Sequence, residues 1–347
     1  MSQPRTKSQA KANLYAVIAV FLFAYFESEL GSIAKNVGIE AYIVFRLIFT
    51  GAFYFLVLWL FSLRKKGERL VFSPLNIDTI LYVRGFFTII YLACLAAAFY
   101  GEKSQALTYP FFFLHPIWQV FAARVLNKKW PPIKRQIVPV AVILMGVLVF
   151  AASNPKYFSG TEVWWKQTLD AAPSYVPAIL AGMGFAYTNE LSNNISEKCN
   201  EHPYKFVNGV KVERIDGLRI TAYTTYASIL ILPVALPVVT VILSTFGVNS
   251  LTLSIFQSEK LISHMGILSL ACLIVALGTW SITEAFTRAK HTTQIAALDG
   301  LIVPLAAAMD YFHGRLPTND PNFPFMVGAL CLIVVGAVWS AFIAKAS

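Results

Sequence analysis

The chain has 347 residues, 57% of them hydrophobic and 13% charged, with a mean hydropathy of +0.61. Roughly a quarter of the residues in an ordinary soluble domain are charged, so this composition excludes a water-soluble globular protein and indicates an all-α polytopic membrane protein. The net charge of +10 would suit a nucleic-acid partner, but the basic residues concentrate on alternate connecting segments, which excludes that partner and makes the charge a topology signal.

Residues 1–12 read as a short basic cytoplasmic tail. The first apolar run, 13–34, reaches the ~20 residues needed to cross a bilayer as helix and is too long for the apolar region of a signal peptide. It contains "FAYFESELGSIAK", which carries Glu27 and Glu29 where lipid-compatible residues are expected. Glu27 falls in the outer third of the span and shares a helical face with Val20, Ala24, Gly31 and Ala34, a small-residue stripe suited to close packing or a cavity wall. Glu27 is therefore read as the inward carboxylate, with Tyr25 beside it offering a ring face to a cation. Further spans are expected at 40–63, 77–100, 105–126 and 136–153, followed by an external loop over 154–173. A second set follows at 174–194, 218–246, 264–287, 293–312 and 323–344, with a cytoplasmic loop over 195–217. The excess of Lys and Arg on the inner segments places both termini in the cytoplasm, and a bacterial inner membrane is the expected location.

An ionisable side chain at mid-depth must face a cavity, find a partner or reach an interface. Arg46 lies at a depth similar to Glu27 and is expected either to pair with it or to contact substrate. Arg84 and Arg124 lie within about two turns of cytoplasmic helix ends, which predicts snorkelling to the interface. Glu190 and Glu284 are also near cytoplasmic ends and read mainly as solvated, with Glu190 retained as a binding candidate. Asp299 follows Gln294 in a helix that contains Gly300 and Pro304, and Gln105 occupies a similar place in the paired helix. A proline there frees backbone carbonyls that can serve a ligand. Trp280 is the other aromatic candidate, whereas Asp310 reads as interfacial and His115 as a packing histidine. Cys94, Cys199, Cys272 and Cys331 have no metal or disulfide spacing.

The chain also resembles itself. Ala98-Phe99, Lys103, Pro116 and Gly146 recur in order as Ala285-Phe286, Lys290, Pro304 and Gly336. With five spans on each side of the repeat, an odd number, the second half must enter the membrane in the opposite orientation. The first repeat covers 13–153 and the second 174–344.

The block "LAAAFYGEKSQALTYPFFFLHPIWQVFAARVLNKKWPPIKRQIVPVAVILMGVLVF" resembles the third to fifth helices of EamA-type proteins of the drug/metabolite transporter superfamily. "ITEAFTRAKHTTQIAALDGLIVPLAAAMDYFHGRLPTNDPNFPFMVGALCLIVVGAVW" resembles the same module in the second half. Shared features are an Ala-Phe helix end, a very short turn, a helix with a central proline and a final glycine-containing helix. Family members usually carry a Gly-Glu pair after each proline helix, where this chain has "NKKW" around Lys128 and "HGRLP" around Arg315. The resemblance implies ten transmembrane helices in two inverted five-helix repeats and a transport function.

By charge count the expected cavity is acidic, which favours a cationic or zwitterionic cargo such as an amino acid, an amine or an S-adenosylmethionine-like metabolite. The expected activity is secondary active transport by alternating access between inverted halves, coupled to protons or working by exchange, in a monomer or homodimer. A nucleotide-sugar or organic-anion exchanger of the same superfamily would instead show paired Lys or Arg in the cavity, and a non-transporting scaffold is the alternative from another class. No enzyme motif, ATP-binding loop or cofactor signature appears.

Overall fold

The computed structural model describes residues 8–64, 78–99, 109–127, 137–153, 172–201, 216–246, 258–290, 292–316 and 318–343. Among these residues no strand occurs, and the fold is all-helical. The helical segments are α1 (Gln9–Val37), α2 (Ile39–Arg64), α3 (Thr79–Phe99), α4 (Tyr109–Phe112), α5 (His115–Asn127) and α6 (Ile137–Ser153). They are followed by α7 (Ala172–Glu201), α8 (Gly217–Thr245), α9 (Ser258–Arg288), α10 (Thr292–Asp299), α11 (Ile302–Phe312) and α12 (Phe323–Ile343).

Among the described residues five stretches are long and apolar enough to cross a membrane: Ile39–Leu63, Thr79–Phe99, Gly217–Thr245, Ser263–Arg288 and Gln294–Phe312. These coincide with five of the expected spans and describe a membrane-embedded protein. Shorter apolar helical stretches occupy Gln9–Tyr25, Ile137–Phe150 and Phe323–Trp339. Large apolar side chains such as Phe21, Val234 and Phe312 point away from the rest of the protein. In water that would be a liability, whereas against hydrocarbon it costs nothing.

Two of the expected spans are interrupted. Phe113 and Leu114 separate α4 from α5, and Gly300 and Leu301 separate α10 from α11. Each break precedes a proline in the first turn of the next segment, Pro116 in α5 and Pro304 in α11. Proline is tolerated there because an amide in the first helical turn has no intrahelical acceptor to lose. The two breaks lie the same distance apart as Ala98 and Ala285, the first residues of the recurring sequence pattern.

The helices pack in a pattern that places the core between the two halves of the chain. α1 lies against α9, α3 against α7, α6 against α12, and α2 against α8. The α4–α5 pair packs on α7, and the α10–α11 pair packs on α1. Small residues allow these approaches: the α3 segment from Tyr91 to Phe99, "YLACLAAAF", is buried throughout. Contact between α6 and α12 is closest at two reciprocal glycines. A Cβ on Gly146 would lie 2.8 Å from the Ala329 carbonyl oxygen, and one on Gly336 would lie 2.9 Å from that of Pro139. Only a hydrogen atom fits at either place.

Candidate functional site

A column of polar side chains runs between the packed helices, starting near the beginning of α2. Arg46 is buried there, and its Nη1 donates to the Tyr42 hydroxyl at 2.8 Å. The i, i+4 spacing along this mainly apolar helix brings the phenol under the guanidinium on one face. Eight residues further along α2, about 12 Å by helical rise, the Tyr54 hydroxyl donates to the Ala276 carbonyl of α9 at 2.8 Å.

Arg84 is the most connected residue of the column. Only 4% of it is exposed, and its hydrogen bonds reach three other helices. Nε donates to the Thr188 carbonyl at 3.1 Å and to Ser192 Oγ at 2.8 Å, both on α7. Nη1 donates to Thr224 Oγ1 of α8 at 2.6 Å, and Nη2 to Thr283 Oγ1 of α9 at 3.3 Å. This corrects the snorkelling expectation. Depth alone would let the side chain reach an interface, but threonine and serine hydroxyls on facing helices hold it inside. Among the described residues no carboxylate lies within 4 Å of Arg84 or of Arg46.

Towards the end of the bundle formed by the start of α8 and the end of α9, Glu284 closes the column. One carboxylate oxygen accepts from the Gly217 amide at 2.6 Å, and the other accepts from Arg288 Nε at 2.6 Å. The first amides of a helix lack intrahelical acceptors, so a carboxylate at this point both caps α8 and meets the positive end of its dipole. Asp216 caps the same helix by accepting from the Arg219 amide at 3.0 Å.

A second polar cluster ties the two broken helices to α7. Glu190 is 1% exposed. Its Oε2 accepts from Gln119 Nε2 of α5 at 2.5 Å and from Thr292 Oγ1 of α10 at 3.2 Å, while Oε1 accepts from Asn127 Nδ2 at 2.7 Å. Both acids are therefore buried and hydrogen-bonded, which overturns the expectation that Glu190 and Glu284 are solvated. At the crossing of the broken helices, His115 Nε2 lies 3.5 Å from Asp299 Oδ2, and both residues are fully buried. Rings of Phe112, Phe113 and Phe185 enclose the imidazole at centroid distances of 5.3 to 5.7 Å.

The other sequence candidates divide as follows. Gln294 is fully buried on α10, one turn before Asp299. Trp280 is half-buried and packs with Tyr54, Leu58 and Ala276. Tyr25 is 55% exposed, so it faces outward from the bundle rather than into the column; its position follows from Ala24 and Phe23, which take the inward face of α1. Asp310, expected at an interface, is fully buried and lies 3.8 Å from Arg315. Glu27 and Glu29 fall in α1, but their side chains lie outside the described residues, as does Gln105. No group of three His, Cys, Asp or Glu side chains that would hold a metal occurs among the described residues.

No family model matches the sequence, and no curated protein matches it. Thirteen chains of solved structures do match. One, described only as "Crystal structure of protein", is 15% identical over 97% of this chain and 99% of its own length, with a TM-score of 0.57. That likeness extends to the arrangement of the helices along essentially the whole chain and to nothing finer.

Proposed function

We propose that this protein is a secondary active transporter of the EamA type, in the drug/metabolite transporter superfamily, with ten transmembrane helices arranged as two inverted five-helix repeats. The observation that carries this reading is the column of buried ionisable side chains between the halves, from Arg46 through Arg84 to Glu284, with Glu190 and Asp299 beside it. Each charge in a membrane interior is costly, and an inert anchor has no use for several of them.

The packing pattern supports the repeat. Numbering the five expected spans of each half in order, exchange of the halves turns the α1–α9 contact into the α3–α7 contact. The same exchange turns α4–α5 on α7 into α10–α11 on α1, and maps α6–α12 and α2–α8 onto themselves. The reciprocal glycines at 146 and 336 and the paired helix breaks obey the same exchange. Broken helices in corresponding positions are the usual mark of a transporter binding site, because their free backbone groups can meet a ligand. Rocking of one half against the other about that site gives alternating access, driven by a gradient or by exchange.

The cargo is a small charged metabolite. A cationic or zwitterionic molecule remains the first reading, with Glu190 and Asp299 as the acids. The organic-anion reading gains from one observation: Arg46 and Arg84 are both buried in the same column, with no carboxylate within 4 Å of either among the described residues.

Purified protein in proteoliposomes provides the test. Labelled amino acids, S-adenosylmethionine and nucleotide sugars are offered with and without a pH gradient, and saturable accumulation of one class is expected. Accumulation of none, together with no ligand-dependent thermal stabilisation, would favour the scaffold.

A further inference from the structure

We infer that Arg84 forms an oxyanion-binding subsite, so that the cargo carries a carboxylate or phosphate group that docks between α3, α7, α8 and α9. The inference rests on the carrier reading above and names the chemistry of its substrate.

A guanidinium has five N–H groups and no acceptor. The bonds to Thr188 and Ser192 share Nε, and those to Thr224 and Thr283 use one hydrogen on each Nη. Two Nη hydrogens are left without an acceptor among the described residues. The hydroxyl hydrogens of Ser192 and Thr188 are committed, to the carbonyls of Thr188 and Phe185. Those of Thr224 and Thr283 meet no acceptor among the described residues, where both oxygens accept from Arg84. The site thus offers unused donors on two guanidinium nitrogens and two hydroxyls. No carboxylate lies within 4 Å among the described residues.

A donor-rich, positively charged, buried site matches an oxyanion. A planar guanidinium takes two ligand oxygens in parallel, and the hydroxyls of Thr224 and Thr283 can turn their hydrogens to the same group. An ammonium or sulfonium group finds no acceptor at Arg84 and meets a like charge. A zwitterion would place its anionic end here and its cationic end towards an acid elsewhere in the column.

The position also suits a carrier. Arg84 is five residues from the start of α3, Thr224 seven from the start of α8, and Thr283 five from the end of α9. All three lie about 8–10 Å inside the same end of the bundle by helical rise. An anion bound there would draw together four helices that must separate when that end opens.

The test measures ligand-dependent thermal stabilisation of the purified full chain in detergent. Inorganic phosphate, glycerol 3-phosphate and N-acetyl-L-phenylalanine are offered, and the last two are compared with their neutral counterparts glycerol and N-acetyl-L-phenylalaninamide. Wild-type protein is expected to be stabilised by an oxyanion-bearing probe and not by its counterpart; phosphate-only or carboxylate-only stabilisation identifies the source of the oxyanion. Arg84→Gln is expected to weaken that binding about tenfold or more, and Arg84→Lys to weaken it less. Equal stabilisation by the neutral counterparts, no stabilisation by any oxyanion, or unchanged binding by Arg84→Gln would each overturn the inference. If Arg84→Gln does not fold, the wild-type probe pairs and a Thr224→Val/Thr283→Val double variant give the same decision. Oxyanion binding without flux in liposomes would overturn the carrier reading alone, and flux of the same oxyanion unaffected by Arg84→Gln would overturn the subsite alone.

Discussion

Glu190 shows at the residue scale how this protein satisfies charge inside an apolar bundle. Three uncharged donors from two helices meet its two oxygens. Hydrogen bonds to an ionised group contribute about 1.5–3 kcal/mol. Glu190→Gln places an amide N–H₂ where one of those oxygens accepts, so a donor faces a donor. A loss of about 1–3 kcal/mol in stability follows, read as a lower melting temperature in detergent; unchanged melting would show that these bonds do not form. Such arrangements were only partly legible in the sequence. Position along a helix identified Glu190, Glu284 and Arg84 as ionisable residues in apolar runs, but their depth near helix ends suggested water. Their partners, Gln119, Gly217 and Thr224 among them, sit on helices far away in the chain, and no local spacing announces them.

Elements were far easier to read than partners. A run of apolar residues long enough for a bilayer is helical for want of any other way to satisfy its backbone, and among the described residues each expected run contains helix, five of them long and apolar enough to cross. The repeat offset also anticipated the shared placement of Pro116 and Pro304, though not that each helix would break just before its proline. The α6–α12 contact provides a sharp test at this scale. Gly146→Val puts a branched side chain against the Ala329 carbonyl and Ile333, which should cost about 1–3 kcal/mol through overpacking. Gly328, on the same α12 helix, has nothing within 4 Å of the position a Cβ would take. Gly328→Ala should be neutral or stabilising by up to about 1 kcal/mol, from helix propensity alone. Equal effects of the two variants on thermal unfolding would deny the close approach.

For the whole molecule, the proposed carrier requires two halves that face opposite ways and enclose the column from Arg46 to Glu284. Exchange symmetry in the helix packing and the repeat offset both follow from that arrangement, and the paired breaks at 113–114 and 300–301 follow from it as well. In that arrangement the positively charged connecting segments would face the cytoplasm. Positions 128 and 315 are equivalent in the repeat and follow α5 and α11, so inversion puts them on opposite sides of the membrane. The direct measurement is labelling of Lys128→Cys and Arg315→Cys, each alone in a chain freed of Cys94, Cys199, Cys272 and Cys331, with a membrane-impermeant maleimide on intact cells. The account predicts that the cysteine at 315 reacts at once and the cysteine at 128 only after permeabilisation; reaction of both from the same side would contradict it.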